Sequence, residues 1–225
     1  MPRTARVLRR GDLNVPPIPQ LTLITGSLGI GKTTVMAKIA QRLAHRAIAG
    51  FLTEEIREEG KRVGFLARTL AGTTCALARV GEATAHRVGR YGVNVDAFER
   101  LILPELARKA DLILIDEIGK MECFSNRFVE AMRRLLQESV PVVATVALRG
   151  SGFIAEVKRH PGAWVLTITR ENRDELPVTI IRSLEQMPGR PSNRMRREAG
   201  PWRLNYPFAA GPWRRDLVKI RRHRE

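Results

Sequence analysis

The stretch Gly-Ser-Leu-Gly-Ile-Gly-Lys-Thr fills residues 26–33 and matches the phosphate-binding pattern G-x-x-x-x-G-K-S/T in full. Residues 21–25 before it are apolar and β-branched, as a buried parallel strand requires. Residues 33–46 after it have helical periodicity, and their apolar face consists of Val35, Met36, Ile39, Ala40 and Leu43. The glycines let backbone N–H groups converge on an anion, and the helix N-terminus adds partial positive charge. This strand–loop–helix unit predicts a site for the phosphates of a nucleoside triphosphate.

Two residues at the end of the loop have chemistry suited to separate tasks. Lys32 is predicted to reach the β- and γ-phosphates, and the Thr33 hydroxyl is predicted to hold Mg²⁺. A glycine turn without a ligand is the alternative interpretation, and the correct flanks on both sides argue against it. The nucleotide-binding residues predicted here are Gly26, Ser27, Leu28, Gly29, Ile30, Gly31, Lys32, Thr33 and Thr34.

An acidic pair, Asp116 and Glu117, closes a second apolar run. Acids at the carboxyl end of a parallel strand lie where sites form in this kind of sheet. We expect Asp116 to bind in the Mg²⁺ shell and Glu117 to accept a proton from the water that attacks the γ-phosphate. A solvated loop acid is the alternative for each. With Lys32 they are the predicted catalytic residues, and the second half of the nucleotide site is predicted to comprise Leu112, Ile113, Leu114, Ile115, Asp116, Glu117, Ile118 and Gly119.

Hydrolysis usually benefits from a cation on the charge that develops at the transferred phosphoryl group. Several cations fall in loops or at strand ends that could face the nucleotide, although a surface or structural role is the alternative for each. Thr145, at the end of a predicted core strand, is a further candidate contact to the γ-phosphate or its water. The candidate phosphate or base contacts are Arg57, Arg90, Lys120, Thr145, Arg170 and Arg173.

Strands and helices alternate over residues 21–186. Residues 50–57 and 63–70 have the pattern of paired strands, and residues 58–61 supply the turn. A helix beyond residue 96 is predicted to open with a capping box of Asp96 and Glu99. The remaining predictions are strands at 112–115, 141–146 and 164–168, and helices from Ser125, at 151–159 and at 172–185. The alternation predicts an α/β fold of three layers, α/β/α, with a mainly parallel sheet plus an antiparallel strand pair.

Charge divides the chain into three parts. The net charge is +16, and residues 187–225 hold eleven Lys or Arg against three acids. We therefore predict a flexible leader at 1–20, one domain at 21–186 and a basic, disordered tail at 187–225. Cys75 and Cys123 are too few for a disulfide framework or a zinc site. Since no apolar run approaches the roughly 20 residues of a membrane span, we expect no membrane segment and a cytoplasmic location.

Four segments behind the loop carry a specific resemblance. They are GFLTEE at 50–55, RVGRYGV at 87–93, DEIGKME at 116–122 and TRENRDEL at 169–176. Together with the loop, they resemble the cancer-related nucleoside-triphosphatase family, small P-loop NTPases with thermophile members. The resemblance implies Mg²⁺-dependent hydrolysis of ATP, GTP and other nucleoside triphosphates, with relaxed base preference and slow turnover. It also implies that residues 26–33 and 112–119 form the nucleotide site, and it leaves the leader and the tail without a role.

Two other functions stay open at this point. A small-molecule kinase could use the same loop, with residues 170–173 as an Arg-bearing lid. A nucleic-acid-binding protein switched by nucleotide could use the basic tail, where Trp202, Tyr206, Phe208 and Trp213 alternate with arginines. A merely solubilising tail is the alternative to the second function.

Overall fold

The computed structural model describes residues 19–186 of the 225-residue chain. Its strands are β1 (Leu21–Thr25), β2 (Ile48–Glu58), β3 (Lys61–Thr69), β4 (Thr74–Val80), β5 (His86–Val88), β6 (Tyr91–Val93), β7 (Leu112–Ile118), β8 (Val142–Val146) and β9 (Ala163–Thr167). Its α-helices are α1 (Lys32–Arg42), α2 (Val95–Leu101), α3 (Asn126–Leu135), α4 (Phe153–Lys158) and α5 (Leu176–Glu185). Short 3₁₀ helices occupy Leu103–Ala107 and Glu122–Phe124.

Within residues 19–186, all nine strands join one sheet in the order β5-β6-β4-β3-β2-β7-β8-β1-β9. The pairs from β2 to β9 in this order are parallel. The pairs from β5 to β2 are antiparallel. We call β2, β7, β8, β1 and β9 the parallel half, and β3, β4, β5 and β6 the antiparallel wing. The parallel half brings the carboxyl ends of five strands to one edge, and the phosphate loop leaves from that edge after β1.

Apolar side chains cover both faces of the sheet, so the predicted three-layer fold is confirmed. Helices α1 and α5 pack on one face, where Met36, Ile39 and Ile180 are fully buried. Helices α2, α3 and α4 pack on the other face. There Phe98 and Phe128 meet at edge-to-face geometry, with ring centroids 5.6 Å apart. All five apolar residues predicted on the inward face of α1 are buried.

The antiparallel part of the sheet is larger than the sequence predicted. The predicted pair is present as β2 and β3, which meet at the predicted turn. Strands β4, β5 and β6 extend it, and they were not predicted from the sequence. The last two of these have three residues each and are joined through Gly89 and Arg90, so neither gives a clear two-residue alternation.

The helix after β6 begins and ends differently from its prediction. Asn94 caps α2, since its side-chain oxygen accepts the Ala97 N–H at 2.9 Å, and the predicted capping box from Asp96 is therefore wrong. The helix ends at Leu101, and Pro104 lies in the first turn of the 3₁₀ helix that follows. By contrast, Ser125 caps α3 as predicted, accepting the Phe128 N–H at 2.9 Å.

Among residues 19–186, no helix combines the length and the apolar character that crossing a bilayer requires. The predicted tail at 187–225 and all but two residues of the predicted leader at 1–20 lie outside the described residues. Those two predictions stay untested.

Candidate active site

The phosphate loop folds around the side chain of its own lysine. Lys32 Nζ donates to the carbonyl oxygens of Gly26 at 3.3 Å and Ser27 at 3.4 Å. Gly31, which precedes α1, has a φ of 112°, a value that a side chain would disfavour. The Lys32 ammonium group therefore lies against the backbone of the phosphate loop, at the N-terminus of α1.

Asp116 is the buried acid of the site, with 1% of its surface exposed. Thr33 Oγ1 donates to Asp116 Oδ2 at 2.5 Å, and the Thr145 hydroxyl donates to Oδ1. The hydroxyl of Thr53 on β2 lies 3.5 Å from Oδ2. Burial raises the pKa of Asp116, while the hydrogen bonds from Thr145 and Thr33 and the charge of Lys32 oppose that rise. Hydroxyls from three elements therefore hold one carboxylate beside the loop.

The strand order explains how these hydroxyls meet. β7 lies between β2 and β8, and Ile115 pairs with Phe51 on one side and with Ala144 on the other. Beyond Ile115 the register of β7 against β8 shifts, since Ile118 pairs with Val146, and Asp116 lies within this irregularity. There its carboxylate accepts the Thr145 hydroxyl of β8 and lies 3.5 Å from the hydroxyl of Thr53 on β2. Thr145 was predicted from its position at a strand end, whereas Thr53 was missed, since only the pairing of β2 with β7 brings it to Asp116.

Glu117 carries the second carboxylate of the site. Its Oε2 lies 3.7 Å from Lys32 Nζ, and 29% of its side chain is exposed, compared with 10% for Lys32. Burial raises the pKa of Glu117; the charge of Lys32 lowers it, and the charge of Asp116 raises it further. The carboxylate therefore faces the loop while staying partly open to solvent, which is the arrangement that a proton acceptor for water requires.

Two further charged residues border Glu117, and sequence reasoning gave neither a role. Glu122 is 5% exposed, and its Oε2 accepts the Gly119 N–H at 3.1 Å. Lys158, from α4, donates to the carbonyl oxygens of Ala147 at 2.5 Å and Leu148 at 3.0 Å, and its charge acts on Glu117. The segment DEIGKME contains Glu122, but the burial of its carboxyl group depends on tertiary packing that the segment does not reveal.

Two of the candidate arginines lie away from this edge. Arg57 pairs with Glu55 at 2.5 Å and donates to the Gly60 carbonyl oxygen at 2.9 Å, at the tip of the β2–β3 hairpin. That tip is four residues beyond Thr53, or about 13 Å along the strand. Arg90, in the turn between β5 and β6, donates to the Arg62 carbonyl oxygen at 2.6 Å. The structure therefore assigns both arginines local partners and does not bring them to Asp116.

The other three candidate cations are exposed. Lys120 lies two residues beyond the end of β7. Arg170 and Arg173 lie in the loop after β9. This loop begins beside the phosphate loop: Ile168, its first residue, is so close to Gly26 that a Cβ on that glycine would lie 2.6 Å from Ile168 Cγ2. The buried side chain of Asn172 stabilises this loop through two hydrogen bonds: it accepts the Thr169 N–H at 2.8 Å and donates to the Thr167 carbonyl oxygen at 3.0 Å.

The oxygen donors suit Mg²⁺. Among the described residues, no group of three or more His, Cys, Asp and Glu is arranged to hold a metal by itself. Mg²⁺ is usually held by one or two protein oxygens together with substrate phosphates and water. Thr33 and Asp116, with oxygens 2.5 Å apart at the edge of the phosphate loop, are a donor set of that kind.

The five-stranded parallel half has a phosphate loop after β1 and a buried acid at the end of β7, with β8 between these two strands. This arrangement defines an α/β nucleotide-binding protein with the P-loop NTPase fold. The chain belongs to the NTPase family, whose model matches residues 22–181. The predicted resemblance is therefore confirmed.

The chain is similar to several nucleoside-triphosphatases, two of which have solved structures. It is 42% identical over 176 residues to nucleoside-triphosphatase THEP1 of Aquifex aeolicus, covering 73% of this chain and 98% of the relative. It is 36% identical over 177 residues to the human cancer-related nucleoside-triphosphatase, covering 70% and 93%. The crystal structure of A. aeolicus THEP1 matches with a TM-score of 0.68 and 40% identity, covering 74% of this chain and 100% of that structure. The solution structure of the human protein matches with a TM-score of 0.66 and 34% identity, covering 75% and 98%.

Proposed function

We propose that this protein is a Mg²⁺-dependent nucleoside-triphosphate phosphohydrolase, which converts ATP, GTP and other nucleoside triphosphates into the diphosphate and phosphate. The observation that carries this proposal is the convergence of Thr33, Asp116, Lys32 and Glu117 at one edge of the sheet, with separations of 2.5 Å and 3.7 Å within the two pairs. The names of the family relatives, which are nucleoside-triphosphatases, support the same activity.

Each residue of the site has a task in this reaction. The Lys32 ammonium neutralises phosphate charge that the loop N–H groups alone would leave exposed. Thr33 and Asp116 would hold Mg²⁺, which supplies charge stabilisation to the phosphates when bound. Glu117 orients the attacking water and takes its proton. Because burial raises the Glu117 pKa towards neutrality, the carboxylate is a better proton acceptor than a solvated glutamate.

Broad base preference and slow turnover are part of the proposal. The assembled residues act on phosphates and metal, and every nucleoside triphosphate presents these groups in the same way. A cation aimed at the γ-phosphate raises turnover in related enzymes by roughly 10³- to 10⁵-fold. Arg57 and Arg90 have partners elsewhere, which supports a slow basal rate. Arg170, Arg173 and Lys120 remain candidates for that contact.

The test is a phosphate-release assay with ATP, GTP, CTP and UTP, each with Mg²⁺ and with a chelator. The proposal predicts release from all four nucleotides, similar rates among them and loss of release without metal. Release that requires an added acceptor, with transfer of phosphate to it, would replace the hydrolase by the kinase. Failure of the protein to release phosphate from any of the four would overturn the proposal.

A second candidate function has one observation in its favour, the charge of residues 187–225, where eleven cations and three acids give +8. With four interspersed aromatic side chains, such a segment can bind phosphates and stack on bases. We propose weak nucleic-acid binding by this segment as an addition to hydrolysis. Binding of single-stranded RNA that falls steeply with salt and disappears on deletion of residues 187–225 would support it. Equal binding by the truncated chain would exclude it.

We further propose a cytoplasmic location. Both cysteines among the described residues, Cys75 and Cys123, are free thiols, and burial raises the pKa of each, to about 11 and about 12. Unreactive, unpaired thiols are typical of a reducing compartment. Fractionation of cells with an antibody to the chain would test the location.

A further inference from the structure

Glu122 and Glu117 approach the same glycine. Glu122 Oε2 accepts the Gly119 N–H at 3.1 Å. A Cβ added to Gly119 would lie 2.9 Å from Glu122 Oε2 and 3.2 Å from Glu117 Oε1. The two carboxyl groups therefore both lie against the side of Gly119 that a Cβ would occupy, and a side chain there would have to displace them. Since Gly119 is two residues after Glu117, the turn that Glu122 holds is also the turn that follows Glu117.

Within the described part of the chain, residues 19–186, no Lys or Arg forms an ion pair with the Glu122 carboxyl group. Burial raises its pKa to about 8, and the charges of Glu117 and Asp116 add to that rise. Burial therefore favours the protonated, uncharged form of this group, and its contact with Gly119 is a hydrogen bond. A buried carboxyl group in an apolar surrounding destabilises a fold unless it is fully bonded, so an apolar residue would be the simpler choice if only packing mattered.

A second buried glutamate makes the contrast clear. Glu105, in the 3₁₀ helix at Leu103–Ala107, is 6% exposed and also accepts a glycine N–H, that of Gly50. Its carboxylate, however, pairs with Arg108 at 2.8 Å. Glu105 thus forms an ion pair, as a glutamate with a structural role does. Glu122 instead lies near another carboxylate, that of Glu117, the proposed proton acceptor.

We propose that Glu122 is a positioning residue for hydrolysis. Its hydrogen bond from the Gly119 N–H fixes the turn after β7, and the absence of a side chain at Gly119 leaves room for both carboxyl groups. The Glu117 carboxylate is thereby held beside Lys32. This inference rests on the proposed function. Phosphate and metal are bound by Lys32, Thr33 and Asp116, none of which bonds to Glu122. Loss of Glu122 therefore misplaces the proton acceptor without weakening the nucleotide site, and it acts on kcat and not on KM.

The experiment measures kcat and KM for ATP in the full chain with four substitutions. Glu122→Ala removes the acceptor for the Gly119 N–H, and we expect kcat to fall by roughly 10²-fold, as for a small misplacement of a catalytic group, with KM within about threefold of the parent. Glu122→Gln keeps an oxygen that accepts this N–H, and it is expected to recover most of the lost kcat. Gly119→Ala leaves Glu122 in the chain but forces the two carboxyl groups apart, and it is expected to reproduce the kcat loss.

Glu105→Ala is the matched control, since it removes a buried glutamate that also bonds a glycine N–H. It is expected to lower the melting temperature while the folded enzyme keeps its kcat. Should Glu122→Ala fail to fold, Gly119→Ala and Glu122→Gln decide the question. The inference is overturned if Gly119→Ala or Glu122→Ala turns over at the parent rate, if Glu122→Gln is as slow as Glu122→Ala, or if kcat and KM change together. A parent protein that binds Mg²⁺–ATP but releases no phosphate would instead overturn the proposed function.

Discussion

The parallel half and the antiparallel wing differ in how their charged side chains are paired and buried. On the strands of the wing and the part of β2 beside it, arginines and glutamates pair at the surface, as in Arg62–Glu55 at 2.8 Å and Arg79–Glu58 at 2.7 Å. At the carboxyl edge of the parallel half, Asp116 and Glu122 are buried and bonded to uncharged donors. The wing thus pairs these charges with each other, whereas the two buried carboxyl groups of the edge have no ion pair with a cation among residues 19–186.

This difference indicates where ligand binding is expected. Exposed ion pairs contribute about 0–1 kcal/mol each, so those of the wing neither require a ligand nor add much stability. Buried carboxylates without a paired cation destabilise the free protein, and a bound cation relieves that cost. The parallel edge is therefore the part of the molecule whose energy a metal–nucleotide complex changes most.

The largest effect is expected from Lys32→Ala. Lys32 bonds to carbonyl oxygens of its own loop and faces Glu117, so its removal takes the cation from the phosphate site while leaving the packed core untouched. We expect phosphate release to fall to the background of the assay and the circular dichroism spectrum to stay that of the parent. An unfolded variant, or one with near-normal turnover, would contradict the contrast between edge and wing.

A smaller effect is expected from Asp116→Asn. The single amide oxygen can still accept the hydrogen bond from Thr33 or the one from Thr145, which go to different oxygens in the parent, but the negative charge that would attract Mg²⁺ is gone. We expect the Mg²⁺ concentration for half-maximal activity to rise by roughly tenfold or more, with partial recovery of turnover at saturating metal. Titrations of activity with Mg²⁺ for parent and variant measure this shift. Superimposable curves would remove Asp116 from the metal site.

At the carboxyl edge of the parallel half, the buried state of Glu122 is expected to make the free energy of unfolding depend on pH. Its pKa is about 8 in the folded protein against 4.5 for the free side chain, so the folded state keeps the proton to higher pH. The protonated carboxyl group contributes its full stability below pH 4.5 and loses that contribution as the pH rises through about 8. Relative to Glu122→Gln, the parent should become less stable over this interval. Urea unfolding of both proteins between pH 5 and 8.5 tests it, and a constant difference would contradict the buried, cation-free state of Glu122.

The smallest effect is expected in the antiparallel wing and at the hairpin tip of β2. Arg57 pairs with Glu55 at an exposed site, so Arg57→Ala is expected to change the free energy of unfolding by less than about 1 kcal/mol and kcat by less than about twofold. Chemical denaturation and the phosphate-release assay measure the two quantities. A tenfold fall in kcat would show that this arginine reaches the nucleotide after all and would break the comparison.

The sequence predicted the parts of the molecule whose signals are local. The loop at residues 26–33, the inward face of α1 and the acidic pair at the end of β7 each depend on a short run of residues, and the three-layer fold follows from their alternation. Strands β4 to β6 were missed because they are short or lie between glycines. Thr53 and Glu122 were missed because their contacts depend on strand register and on burial, which no local pattern encodes.

The central claim is that Glu117 takes the proton of the attacking water at a site built by Lys32, Thr33 and Asp116. Glu117→Gln is nearly isosteric and leaves the phosphate and metal ligands in the chain, so binding of Mg²⁺–ATP, measured by calorimetry, should stay close to that of the parent. Phosphate release at saturating nucleotide should fall by roughly 10²- to 10⁴-fold. If Glu117→Gln binds nucleotide and releases phosphate at close to the parent rate, Glu117 is not the proton acceptor and the account of the site is wrong.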